Sequence, residues 1–206
     1  MPTNRAAWGS ISRDQVIKAA TKIVRAGGYE DMTMRSLASV LGVAPMSLYR
    51  HVRDKDDILD EVVDRMLGRV WRPSTSPDDW EEWISLVADK FRHFLVTQPA
   101  AMHVYLQHPV VTPAAISRMN AMFDVLRSAL PTDDSARRAY AAIHTYTVGF
   151  SALESSRSRW TRTHGNRDEL VAQLATYTSR EQFLDGLHSL IRGTGGEFKS
   201  HSSSGS

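Results

Sequence analysis

What most constrains this chain is a run of helical stripes cut short by glycine and proline. Ser12 with Gln15 makes a capping box, after which Val16, Ala19, Ala20, Ile23 and Val24 recur at i, i+3, i+4 spacing. Gly27-Gly28 stops that helix. Thr33 is the N-cap of a second, short helix whose Leu37, Ala38 and Leu41 face inward, and Gly42 ends it. Pro45 fits the first turn of a third helix, about two turns long, because its missing N–H costs nothing there. Asp54 with Asp57 opens a fourth, striped by Ile58, Leu59, Val62, Val63, Met66, Leu67 and Val70. Strand-period alternation is nearly absent.

The rest of the chain continues the helical pattern. "RPSTSPDD", residues 72–79, interrupts it and marks the domain boundary. Helices are predicted near 80–97, 100–107, 113–130, 134–159 and 180–192, with a weaker signal near 167–178. The sequence therefore predicts domains at 12–71 and 78–192 and a disordered, low-complexity tail at 193–206. With 206 residues such a chain builds its core without staples, and the absence of cysteine excludes disulfides, Cys-based zinc sites and thiol catalysis. The N-terminus lacks an apolar signal-peptide segment, and no apolar run approaches the ~20 residues of a membrane span. A cytoplasmic location is the expectation.

The net charge of +2 conceals an asymmetry. Residues 1–55 hold nine Lys/Arg against four Asp/Glu, whereas residues 56–206 hold sixteen against nineteen. A basic N-terminal quarter points to a polyanion, with ordinary surface fluctuation as the alternative. Three short helices with a glycine turn between the second and third match a helix-turn-helix, in which the third lies in the major groove. Ser47, Tyr49, Arg50 and His51 then offer donors to phosphates and base edges, while Leu48 and Val52 point to the core. Pro45 and Met46 suit a thymine methyl, and Arg35 a guanine edge or a phosphate. Thr33 and Lys55 lie at helix N-termini, where phosphates are held. The competing reading is a solvated polar face on a helical hairpin.

"TMRSLASVLGVAPMSLYRHVRDKDDIL", residues 33–59, resembles the DNA-binding region of TetR-type transcriptional repressors. The similarity spans residues 12 to about 70 and rests on Thr33, Leu37-Ala38, Leu41-Gly42-Val43, Leu48-Tyr49, His51-Val52 and Lys55. It implies an all-α fold: a three-helix DNA-binding domain, a connecting helix, and a larger helical domain for ligand binding and dimerisation. By position, the DNA-contacting roles fall on Thr33, Arg35, Pro45, Met46, Ser47, Tyr49, Arg50, His51 and Lys55.

"IHTYTVGFSALE", residues 143–154, resembles the long pocket-lining helix of the branch nearest the tetracycline repressors. Where those repressors hold magnesium through a histidine this chain has Val104, with His103 beside it, so no metal or other cofactor is carried over. On the long helix Tyr140, His144, Thr147 and Ser151 share one face. With Phe91, Met102, His103, Met119, Met122 and Phe123 from neighbouring helices they make a candidate ligand pocket, apolar with a few polar groups. Plain core is the alternative for each Met and Phe. His144 and Thr147 lead the polar candidates, because buried polar groups need partners.

Enzyme signatures fail. "GFSAL" at 149–153 lacks the second glycine and the strand of a nucleophile elbow. His103 and His108 stand five apart with no His-Glu-x-x-His, and "GTGG" at 193–196 has no phosphate-loop context. For assembly, Ala142, Tyr146, Gly149 and Leu153 permit close helix approach, and Phe183, Leu184, Leu187 and Ile191 form an apolar stripe; paired by symmetry these predict a four-helix interface. The whole predicts a non-enzymatic, ligand-responsive repressor that binds a palindromic DNA operator as a homodimer and is released by a small-molecule effector. A small helical enzyme or ligand carrier with an accessory DNA-binding head is the alternative, and sequence does not separate repressor from activator.

Overall fold

The computed structural model describes residues 11–68, 79–107, 110–164, 173 and 177–196. Two compact units divide at Arg65/Met66. Every regular element among the described residues is helical. No helix there is long and apolar enough to cross a membrane.

The first unit begins with α1, Arg13–Gly27, capped as its sequence predicts: Ser12 Oγ accepts from the Gln15 N–H while Gln15 Oε1 accepts from the Ser12 N–H at 2.8 Å. Its buried side is Val16, Ile17, Ala19, Ala20 and Val24; Ile23, read as part of the stripe, is only half-buried. α2, Met34–Leu41, starts on a Thr33–Ser36 capping box. Gly42 ends it with φ +66°, the left-handed conformation that favours glycine, and the Val43 N–H donates to Ala38 O at 3.1 Å to close the turn. α3, Pro45–Leu48, is a correction to the reading from sequence: one turn is helical, not two. Tyr49, Arg50 and His51 follow as hydrogen-bonded turns, in which the His51 and Val52 N–H groups both donate to Leu48 O at 2.8 and 3.1 Å. Leu48 and Val52 are buried, so the intervening residues face outward.

α4, Lys55–Leu67, opens where Asp54 accepts from the Asp57 N–H at 2.8 Å, and it continues across the boundary between the units. Val70, assigned to its stripe, lies outside the described residues, as do 72–78 of the boundary segment.

The second unit comprises α5 (Trp80–Thr97), α6 (Pro99–Gln107), α7 (Pro113–Ala129), α8 (Asp133–His164) and α9 (Arg180–Gly196). Asp79, Thr112 and Thr132–Ser135 supply side-chain caps for α5, α7 and α8. The core is built from one face each of α5, α7, α8 and α9, with Ile84, Leu126, Ile143, Phe183, Leu187 and Ile191 all essentially inaccessible. α8 runs five residues beyond 159, and α9 continues to Gly196, into the segment predicted as tail. Residues 197–206 and most of the weak 167–178 helix lie outside the described residues.

The α9 stripe brings a second correction. Phe183, Leu187 and Ile191 are consumed by the chain's own core and are not available to a partner. Tyr146 also turns inward: its hydroxyl donates to Phe183 O at 3.1 Å and lies where a side chain at Gly186 would stand, so glycine there lets α8 and α9 approach closely. Of the α8 face read as an interface, Gly149 and Leu153 remain outward.

Candidate nucleic-acid interface and ligand cavity

In the first unit Arg35, Pro45, Met46, Tyr49 and Arg50 are exposed, and Ser47 and His51 half-buried. Met46, at 75% exposure, is the extreme case: a long apolar side chain held in water at the start of α3. Solvent exposure of an apolar group is unfavourable by itself. Val40, 59% exposed at the end of α2, was missed from sequence. Thr33 is exposed, but its hydroxyl is engaged in the cap of α2, with Ser36 Oγ at 3.1 Å and the Ser36 N–H at 3.0 Å. Lys55 is half-buried, its ammonium 4.0 Å from the centre of the Tyr29 ring. That contact restrains the cation at the N-terminus of α4.

The turn that follows α3 is held from behind by Arg13, which sequence reasoning passed over. Its guanidinium donates to His51 O at 2.6 Å, to both oxygens of Asp57 at 2.8 and 3.0 Å, and to Glu61 at 2.7 Å. One residue thus ties α1 to α4 and to the end of the turn that follows α3. Asp57 also accepts from the Arg53 N–H at 3.0 Å, and the Arg13 guanidinium holds its carboxyl below the usual carboxylate range. Arg65 pairs with Asp14 at 2.8 Å in the same unit.

The second unit contains a cavity of about 680 Å³, within the range of small-molecule sites. Of the residues read as ligand-lining, Phe91, Met119, Met122, Tyr140, His144 and Thr147 line it. Met102 is buried away from it, and His103, Phe123 and Ser151 do not line it either. Phe123 instead packs on Tyr140 with ring centres 4.6 Å apart, behind the wall. Tyr105, Gln107 and Arg118 line the cavity without having been singled out. Arg118 was legible: it lies four residues before Met122 and three after Ala115, both lining residues of α7.

One aromatic wall dominates. His144 lies between Phe91 and Tyr140, with centre-to-centre distances of 5.9 and 5.6 Å and interplanar angles of 27° and 21°. Tyr105 stands edge-on to Phe91 at 5.2 Å. Burial pushes the His144 imidazole below its usual range and the Tyr140 phenol above it, so both are neutral near pH 7. The partner that a buried Thr147 hydroxyl needs is supplied by its own helix, and the same holds for Ser151. Thr147 Oγ1 donates to Ile143 O at 2.7 Å and Ser151 Oγ to Thr147 O at 2.6 Å, so each is satisfied within its own helix. Among the described residues no group of three His, Cys, Asp or Glu is placed to hold a metal.

Beneath this cavity-bearing layer sits a charge cluster that the sequence did not advertise. Arg92, its side chain 5% exposed, donates to both oxygens of Glu154 at 2.6 and 2.8 Å and to Asp89 at 3.0 Å. Its guanidinium also lies 5.4 Å from the centre of the Phe183 ring. Asp89 in turn pairs with Arg180 at 2.8 Å. α5, α8 and α9 are therefore cross-linked by charge as well as by apolar packing.

Comparison with known proteins places this geometry. Residues 16–62 match the model of the tetR family of bacterial regulatory proteins, and residues 72–194 that of the tetracyclin repressor-like C-terminal domain. An HTH-type transcriptional regulator of Saccharopolyspora erythraea is 28% identical over 93% of this chain and 79% of its own length. The class C tetracycline repressor protein of Escherichia coli is 30% identical over 84% of this chain and 78% of its own. The solved structure of BioQ with its double-stranded DNA operator is 26% identical, with a TM-score of 0.67 over 90% of this chain and 98% of that one. The chain belongs to the TetR family of transcriptional repressors, with a DNA-binding helix-turn-helix and a ligand-binding domain.

Proposed function

We propose that the protein is a ligand-responsive repressor that binds a palindromic operator as a homodimer and leaves it when a small molecule fills the cavity. The observation that carries this reading is one chain holding both parts: an exposed reading turn within the basic stretch 1–55, and an aromatic-walled cavity in the second unit. The similarity to BioQ, solved with its operator, supports the DNA half. The similarity to a tetracycline repressor supports the effector half.

On this reading Arg50 and Arg35 read base edges, Met46 and Pro45 meet thymine methyls, and Ser47, Tyr49, His51, Thr33 and Lys55 position phosphates. Two reading turns, one per subunit, enter successive major grooves about 34–36 Å apart. A ligand that favours another separation weakens DNA binding by the same factor by which DNA weakens the ligand. Helix α4, continuous from one unit into the next, is the covalent route for that coupling. Phe91, Met119, Tyr140 and His144 form the effector wall.

The test is selection of duplexes from a random pool, followed by titration in the presence of candidate effectors. A palindromic site should emerge. Arg50→Ala should cost roughly 1–3 kcal/mol and relax preference at one position per half-site, while Tyr49→Ala weakens all sequences alike. Failure to enrich any duplex would remove the proposal.

A further inference from the structure

The polar groups on the cavity wall differ in how far they are already committed. Thr147 donates to its own helix, Gln107 stands exposed, and Tyr105 and Arg118 hold interactions of their own. His144 and Tyr140 remain. Among the described residues neither has a hydrogen bond, and neither has its polar atoms sealed in protein, so both open onto the space they line. They stand four residues apart on one face of α8, with ring centres 5.6 Å apart. The imidazole is stacked between Phe91 and Tyr140, which occupy its faces and leave its edge, with both nitrogens, for hydrogen bonding.

Burial keeps that imidazole neutral, and a neutral imidazole carries one N–H donor and one acceptor nitrogen. The acceptor nitrogen decides what fits. An ether, carbonyl or carboxylate oxygen can take the N–H or the Tyr140 O–H, but it leaves the acceptor nitrogen unfilled. A polar group left unfilled in a site closed by a ligand costs more than an ordinary hydrogen bond gains. A hydroxyl fills both: it donates to the nitrogen, and the same oxygen accepts from Tyr140. Val87, Met119 and Ile143 offer the rest of a ligand only apolar burial.

We propose that the effector is an uncharged, largely apolar molecule carrying a hydroxyl group, whose O–H donates to the His144 imidazole and whose oxygen accepts from the Tyr140 hydroxyl. This rests on the cavity being the effector site, and it narrows that reading to a hydroxyl recognised by two named side chains.

Three probes built on one naphthalene frame test it on the full-length protein, with binding followed by probe fluorescence. 2-Naphthol donates and accepts, 2-methoxynaphthalene only accepts, and 2-naphthoate is an accepting anion. 2-Naphthol should bind about tenfold more tightly than either of the others, the worth of a hydrogen bond made rather than left open. His144→Phe keeps a ring in the stack and removes both nitrogens; it should bring 2-naphthol down to the level of the methyl ether. Tyr140→Phe should weaken 2-naphthol and the ether together, since both lose the same donor. Equal affinity of the parent protein for 2-naphthol and its ether, tighter binding of 2-naphthoate, or a preference for 2-naphthol that survives His144→Phe overturns the inference while leaving the cavity reading intact. Ala115→Trp, which fills the cavity from α7, separates the two failures and should weaken all three probes. If they bind that variant as they bind the parent, or none binds the parent, the cavity reading falls and the inference with it.

Discussion

Replacing Arg92 by methionine keeps most of the side chain's volume and its packing on Phe183 while deleting the charge. In the parent protein that charge is almost fully buried, and it satisfies Glu154 and Asp89, whose side chains are only 17% and 15% exposed. Removing one member of a buried pair costs about 3–5 kcal/mol, chiefly because the other is left charged and unpartnered. Asp89 keeps Arg180 at 2.8 Å, so the burden falls on Glu154 and the lower end, about 3 kcal/mol, applies. Deleting both charges, as Arg92→Met with Glu154→Leu, leaves no orphan and should cost only about 1 kcal/mol. The single and double variants thus differ in an order opposite to the number of changes. Urea unfolding followed by tryptophan fluorescence at one protein concentration reads this directly. With a slope of about 2–3 kcal/mol/M, the single variant should lose roughly 1–1.5 M in midpoint and the double variant less than half of that. A single variant within about 0.2 M of the parent would refute the reasoning, as would a double variant less stable than the single.

Three further outcomes are expected. Gly149→Trp with Leu153→Glu should give monomers in sedimentation, because both positions face outward and nothing stands within 4 Å of a side chain begun at Gly149; a tight dimer would place the interface elsewhere. Gly42→Ala should cost about 1 kcal/mol by thermal unfolding, since the loss comes from the left-handed backbone and no atom crowds the new methyl; a larger loss would mean that this conformation also anchors the reading turn. His144 has a folded-state pKa below its unfolded 6.5, so its contribution is fully present above pH 6.5 and is lost as the unfolded chain takes up a proton at lower pH. His144→Gln should flatten the acid slope of stability that starts there, and an unchanged slope would assign it to another group.

The parts of this protein that the sequence alone determined are those governed by neighbours within a few residues. Ser12 and Gln15 cap α1 because the chain brings position N3 back over the N-cap whatever else surrounds it. Gly42 takes the left-handed turn for the same local reason, and Asp54 finds the Asp57 N–H. The outward face of the reading turn was legible because Leu48 and Val52 had to point inward, which left Tyr49, Arg50 and His51 outside.

Tertiary structure decided what periodicity cannot express, namely which surface covers a given face. Phe183, Leu187 and Ile191 make the same stripe whether they meet a partner subunit or their own chain, and here their own core takes them. Met102 and Met119 look alike in sequence, but only Met119 reaches the cavity, because the packing of α5 to α8 sets where the space lies. The hydroxyl of Thr147 looked like an anchor until its helix carbonyl claimed it. Arg92 in an otherwise apolar helix face carried no readable instruction, since its partner Glu154 is 62 residues away and only the fold brings the two charges together in a largely buried place.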